Sequence, residues 1–135
     1  QFDEIYCGHL LQAFCADDLK LALGNMLKLL KPGGKITAVV HDMRASAQMM
    51  LKGHISPHQL FAEIGLGYST YKYAQEDMRS SRINPPNRNV FDLDSLFKTF
   101  IDAGFIGVTP IDIERHPYLV SRYPTQIGVE AWTRN

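Results

Sequence analysis

The segment that most constrains the fold runs from Asp17 to Val40. Leu19, Ala22, Leu23, Met26, Leu27 and Leu30 recur at i, i+3, i+4, i+7, i+8 and i+11, and Lys31-Pro32-Gly33-Gly34 separates them from the run Ile36-Thr37-Ala38-Val39-Val40. The first spacing predicts a helix with one buried stripe. Asp17 and Asp18 lie where the helix dipole favours anions, Lys28 and Lys31 where it favours cations. Pro32 cannot continue the helix, and Gly33-Gly34 are expected to take positive φ angles in a tight exit. The run from Ile36 has the continuous character of a strand covered on both faces. Residues 3–7, Asp3-Glu4-Ile5-Tyr6-Cys7, add a short strand upstream. Strand, crossover helix and buried strand together predict a right-handed parallel unit in an α/β sheet.

Downstream, Met43–Leu51 and Pro57–Ile64 read as two short helices. Gly65 to Asn89 mixes Gly, Tyr, Ser, Arg and Asn around a Pro85-Pro86 pair. Residues 43–90 therefore read as an irregular excursion, of a kind that in compact domains is functional or disordered. Regular patterning returns at Phe91. Asp92 suits an N-cap, Phe91 a hydrophobic staple to Leu96, and Leu93, Leu96, Phe97 and Phe100 the apolar stripe of a helix. Gly104 fits the left-handed position beyond the helix, with Phe105 reaching back to Phe100. Residues 107–113 read as a strand whose Pro110 lacks a ladder donor, which argues for a sheet edge or a bulge. Residues 126–133 alternate, with Ile127, Val129 and Ala131 on one side and Trp132 read as core. No helical pattern long enough for a parallel crossover separates these two strands, so they are expected to pair antiparallel.

A chain of 135 residues suits one domain, 1–135, with a buried core. Hydrophobic content of 45% and charged content of 21% are globular rather than disordered values. Fourteen basic side chains balance fourteen acidic ones with no long run of either sign. That argues against binding nucleic acid or an anionic membrane through bulk charge. No apolar run approaches the roughly 20 residues of a membrane-spanning helix, and no signal-peptide pattern opens the chain. Cys7 and Cys15 are too few for a disulfide framework and lack zinc-ligand company, so a reducing, cytoplasmic setting is expected. The sequence opens on Gln1 directly before a strand, as expected of a fragment, a processed product or an incompletely read frame.

Three stretches carry a resemblance to a known family. Phe2-Asp3-Glu4-Ile5-Tyr6-Cys7-Gly8-His9-Leu10-Leu11-Gln12-Ala13-Phe14, then Leu29-Leu30-Lys31-Pro32-Gly33-Gly34-Lys35-Ile36, then Leu96-Phe97-Lys98-Thr99-Phe100-Ile101-Asp102-Ala103-Gly104-Phe105 stand in order. Together the chain resembles the C-terminal half of a class I, Rossmann-like S-adenosylmethionine-dependent methyltransferase. The resemblance implies an α/β fold, a partial sheet of family strands 4-5-7-6 with the last strand antiparallel, and flanking helices. Residues 3–7, 35–41, 107–113 and 126–133 would be strands 4, 5, 6 and 7, which puts Pro110 on the edge strand. Two departures stand out. Gln12-Ala13 occupies a place where many relatives carry a Glu-His pair, and the glycine-rich turn that holds the cofactor is absent from the chain. Gly65-Leu66-Gly67 follows no strand and lacks a third glycine, so it is no substitute.

Ligands of open α/β sheets lie beyond the carboxyl ends of the parallel strands, here Cys7-Gly8-His9 and His41-Asp42. The resemblance implies that Cys7, Gly8 and His9 lie beside the methionine part of S-adenosylmethionine. Gly8 would admit a ligand close to the backbone, or simply make a turn. His9 would orient or deprotonate an acceptor, and is the one catalytic candidate, or would cap the following helix. Asp42 is either an acceptor contact or the N-cap of the next helix. His58, Tyr71 and Tyr73, with Tyr68 and His54, crowd the excursion as acceptor contacts of a lid or as surface residues. His54 and His58 have the spacing of paired metal ligands, but Pro57 interrupts the helix and no third ligand is apparent, so no metal is expected. Cys7 reads as a small buried residue rather than a nucleophile.

The expected function is therefore methyl transfer from S-adenosylmethionine to a small-molecule acceptor that the sequence does not single out, with this chain supplying the acceptor-side half. The alternative is a non-catalytic remnant that acts as a binding or assembly module. Activity of the chain by itself is not expected. The edge formed by residues 3–7 is expected to take up either another copy of the chain, giving an oligomer, or a missing N-terminal segment.

Overall fold

The structure, a computed structural model, describes residues 1–64, 88–113 and 126–135. Strand β1 (Phe2–Gly8) leads through a 3-10 turn (Leu11–Ala13) into helix α1 (Ala16–Leu29) and strand β2 (Leu30–His41). Helices α2 (Met43–Leu51) and α3 (Pro57–Ile64) follow, then helix α4 (Leu93–Asp102) and strands β3 (Ile106–Pro110) and β4 (Gln126–Trp132). The four strands form one sheet in the order β1-β2-β4-β3. β1 and β2 are parallel, with Ile5 beside Ile36 and Cys7 beside Ala38. β4 is antiparallel to both its neighbours and pairs Ala38 with Val129 and His41 with Gln126. The expected order and directions are thus those of the molecule, and Pro110 ends the edge strand, where its missing N–H costs no ladder bond.

The core lies on one face of this sheet. Cys7, Ile36, Ala38, Val40, Val129 and Ala131 meet Leu19 and Leu23 of α1 and Leu96 and Phe100 of α4 in one buried cluster. Each large side chain so buried stabilises the fold by roughly 1.5–3 kcal/mol. Both ends of α4 are fixed locally. Asp92 accepts from the Ser95 N–H at 2.8 Å while the Ser95 hydroxyl takes the Asp92 N–H at 3.0 Å, a closed capping box. At the other end the Phe105 N–H reaches the Phe100 carbonyl and the Gly104 N–H the Ile101 carbonyl. Gly104 has φ +101°, which a side chain would strain, and the Phe100 and Phe105 rings lie 5.4 Å apart. Trp132 does not join this core. Opposite Lys35 in the register, it lies on the other face, half-buried against Gly107.

The largest departures from the sequence reading concern β2 and β3. β2 begins at Leu30 rather than at residue 35, and Lys31–Gly34 bulge within it: β1 advances from Phe2 to Glu4 while β2 advances from Leu30 to Lys35. Only Gly33 of the glycine pair takes a positive φ, +75°. Gly34 is needed for close approach instead, since a Cβ there would lie 2.8 Å from the Lys31 carbonyl oxygen. The bulge is held by the chain's far end. Thr133 accepts from the Gly34 N–H through its hydroxyl at 3.0 Å, and that hydroxyl donates to the Lys31 carbonyl at 2.8 Å. Finally, β3 spans 106–110 instead of 107–113, because its pairing is irregular between Ile106 and Thr109 and the ladder stops at Pro110.

Candidate functional site

The carboxyl ends of β1 and β2 and the first residue of β4 meet at one edge of the sheet. The His9 N–H continues the ladder to the Val39 carbonyl at 2.8 Å. His9 then turns with φ 55°, the one non-glycine residue with positive φ among the described residues. Strain of this kind is retained where the surroundings hold it, which recurs at functional positions. The sequence offered Gly8 either for close approach of a ligand or for a turn; it is His9 that adopts the left-handed conformation. Nor does His9 cap a helix: its Nε2 lies 2.8 Å from the Oε1 of Gln126.

His41, the last residue of β2, is 7% exposed. Its N–H donates to Gln12 Oε1 at 3.1 Å, and its ring Nε2 lies 2.6 Å from the hydroxyl of fully buried Ser46. Burial, with a further contribution from His9, holds the His41 pKa below the ordinary histidine value, partly offset by Asp42. Gln12, Ser46 and Gln126 are not among the expected site residues, and His41 is named only as the end of a strand. His41 was visible in principle, since alternation from Thr37 and Val39 carries it to the face away from the core. Gln126 depended on the β2–β4 register, which no local pattern encodes.

Of the predicted site residues, Cys7 is buried, and burial pushes its thiol up to about 11. It is a neutral wall residue whose Sγ lies 3.8 Å from Met26 Sδ. Gly8 is exposed, and a Cβ on it would meet only the outer end of the Tyr6 ring, at 2.8 Å from the hydroxyl. Its backbone is therefore approachable. Asp42 is the N-cap of α2, accepting from the Arg44 N–H at 3.1 Å. His58 lies exposed in the first turn of α3, and His54, also exposed, follows α2. Tyr68, Tyr71 and Tyr73, with Gly65-Leu66-Gly67, lie outside the described residues.

The stem of the 43–90 excursion rises from this same edge. The Met43 N–H donates to the Phe91 carbonyl at 2.9 Å, and Asp42 and Phe91 form an isolated parallel bridge. The Ser95 N–H, aided by Arg44 at 2.9 Å, holds the Asp92 carboxyl down to about 2. On the near side, the Gln12 carbonyl accepts from both the Arg88 and the Asn89 N–H, at 2.8 and 3.1 Å. Two surface grooves of about 350 Å³ each lie elsewhere, one along the outer face of α1 at Leu21 and Gly24, the other near Leu27, Pro32 and Arg134.

No family model matches this sequence, and a search of curated proteins finds no match. Solved structures do match. A SAM-dependent methyltransferase from Methanosarcina mazei superposes with TM-score 0.58 at 14% identity, over 98% of this chain and 59% of that one. The 1,6-didemethyltoxoflavin-N1-methyltransferase of Burkholderia thailandensis, solved with 1,6-didemethyltoxoflavin and S-adenosylhomocysteine, gives 0.53 at 16% identity over 99% of this chain and 44% of that one. This is the methyltransferase fold. An O-methyltransferase family protein from Burkholderia thailandensis matches it with TM-score 0.54 and 16% identity, over 98% of this chain and 30% of its own. The chain thus spans between about a third and three-fifths of the length of the structures it matches. Within the methyltransferase fold the described helices include none long and apolar enough to cross a membrane.

Proposed function

We propose that the chain serves S-adenosylmethionine-dependent methyl transfer, supplying the acceptor-side half of the fold. The observation that carries this reading is the parallel β1–β2 pair, whose carboxyl ends bring Gly8-His9 and His41-Asp42 to the base of the 43–90 excursion. Open α/β sheets bind their ligands at that edge.

When bound, the cofactor supplies a methyl group on a sulfonium, already activated for in-line displacement. The exposed Gly8 backbone and His9 fit the methionine end of that group. Asp42, His58, Tyr71 and Tyr73 are the proposed acceptor contacts. What the chain contributes is chiefly alignment, since well-oriented reactants gain the most from fixed geometry. The neutral Cys7 thiol takes no part as a nucleophile. In this reading His9 would receive a proton only where the acceptor must lose one. A small-molecule acceptor and a reducing, cytoplasmic setting complete the reading; both cysteines are unbridged thiols.

A second reading, a non-catalytic binding or assembly module, draws on β1, whose outer edge no described residue pairs and where Phe2 and Tyr6 are half-exposed. Calorimetric titration with S-adenosylhomocysteine separates the two, using this chain and a version extended at its N-terminus. Binding by either supports methyl transfer, and absence of binding by both leaves the module. Gly8→Val then checks the site: it is expected to weaken binding at least tenfold, because branched carbons would cover the approachable backbone. Equal affinity in Gly8→Val would move the cofactor away from this edge.

A further inference from the structure

We infer that Gln12 is a positioning residue that keeps the acceptor-side stem in register with the turn after β1. It lies on the 3-10 turn Leu11–Ala13, is 8% exposed, and its two oxygens take hydrogen bonds from two other segments. The side-chain Oε1 accepts from the His41 N–H at the end of β2, at 3.1 Å. The main-chain oxygen accepts from the Arg88 and Asn89 N–H groups, at 2.8 and 3.1 Å, where the chain returns toward α4. On the far side of the same stem, Met43 is bonded to Phe91. The end of β2 and the segment that returns toward α4 therefore converge on one buried glutamine.

The chemistry of the residue matters. An amide oxygen accepts from the buried His41 N–H without adding charge, whereas an apolar side chain removes that bond. The bonds to Arg88 and Asn89 involve only the main chain, so truncating the side chain does not remove them directly. They loosen only if the turn moves once its tie to His41 is lost. The consequence for catalysis rests on the methyl-transfer reading: the excursion stem and the donor-side turn would lose their fixed separation, to which in-line transfer is sensitive.

Amide hydrogen exchange and titration with S-adenosylhomocysteine on Gln12→Ala and Gln12→Glu test this. In Gln12→Ala the Arg88 and Asn89 amides are expected to exchange roughly tenfold faster, the equivalent of about one hydrogen bond. Amides of α1 and of the β2–β4 ladder other than His41 keep their rates. Gln12→Glu retains an acceptor for His41 and restores slow exchange at both positions, while its carboxyl group moves the His41 titration, followed by NMR, to higher pH. If Gln12→Ala does not fold, Gln12→Asn, one methylene shorter, takes its place. Unchanged exchange at Arg88 and Asn89 in the folded short variant, or loosening of equal size in Gln12→Glu, overturns the inference. The ligand arm keeps the two readings apart. Failure of both the unaltered chain and its N-terminally extended version to bind removes the methyl-transfer role but leaves the exchange result to decide on Gln12. Binding weakened roughly tenfold in Gln12→Ala and recovered in Gln12→Glu supports both.

Discussion

Among single residues, His41 is the one whose surroundings oppose its charge most directly. It is nearly buried, its ring engages Ser46, and His9 lies close enough to disfavour a second positive charge. Its pKa is lowered in the folded chain from 6.5. Below that pH the unfolded chain binds a proton that the folded one refuses, so unfolding gains as acid is added. Stability is therefore expected to be full above the ordinary histidine pKa and to fall as pH drops below it, until the folded value is passed. Urea midpoints measured from pH 8 down to pH 5 check this, and His41→Gln should flatten the slope over that window. An unaltered slope in His41→Gln would assign the acid sensitivity to another group.

Elements were legible to the extent that their causes are local. Both ends of α4 could be read because Asp92 meets Ser95 three residues on and Gly104 stands between Phe100 and Phe105. The β2 bulge could not, because the hydroxyl that holds Lys31 and Gly34 belongs to Thr133, about a hundred residues away. The candidate site divides in the same way. His9 and Asp42 follow from where strands end, while Gln12, Ser46 and Gln126 acquire their roles through contacts that only the folded register creates. Because α4 is fixed locally and also supplies the core, its loss should be felt throughout. Phe100 is fully buried against Phe105, so Phe100→Ala is expected to cost about 3–5 kcal/mol in urea denaturation. Gly104→Ala, which forces a side chain into a left-handed conformation, should cost about 1–2 kcal/mol. If Gly104→Ala proved the more costly, the termination of α4 rather than its packing would be the larger contribution.

In the whole molecule, α1 and α4 supply the core on one face of the sheet, and the opposite face presents Tyr6, Thr37 and Glu130 partly exposed. Phe2, at 56% exposure, extends that surface along β1, whose outer edge pairs with nothing among the described residues. Charge ordinarily discourages pairing at such an edge. Here the edge's own acidic residues are engaged, Asp3 with Lys31 at 3.2 Å and Glu4 with Lys35 at 2.9 Å, so their repulsion of a second strand is reduced. Half-exposed aromatics along a terminal strand favour addition of another strand. Sedimentation across the micromolar range is accordingly expected to show association that strengthens with concentration. Phe2→Lys should shift it toward the monomer, since it sets a cation on the edge, and should leave the melting temperature at concentrations too low for association unchanged, since Phe2 takes no part in the core. A folded chain that stays monomeric at every concentration would show that the edge is already satisfied. Association that persists in Phe2→Lys with an unchanged melt would place the contact on another surface, with the exposed Leu21 face of α1 the next to be altered.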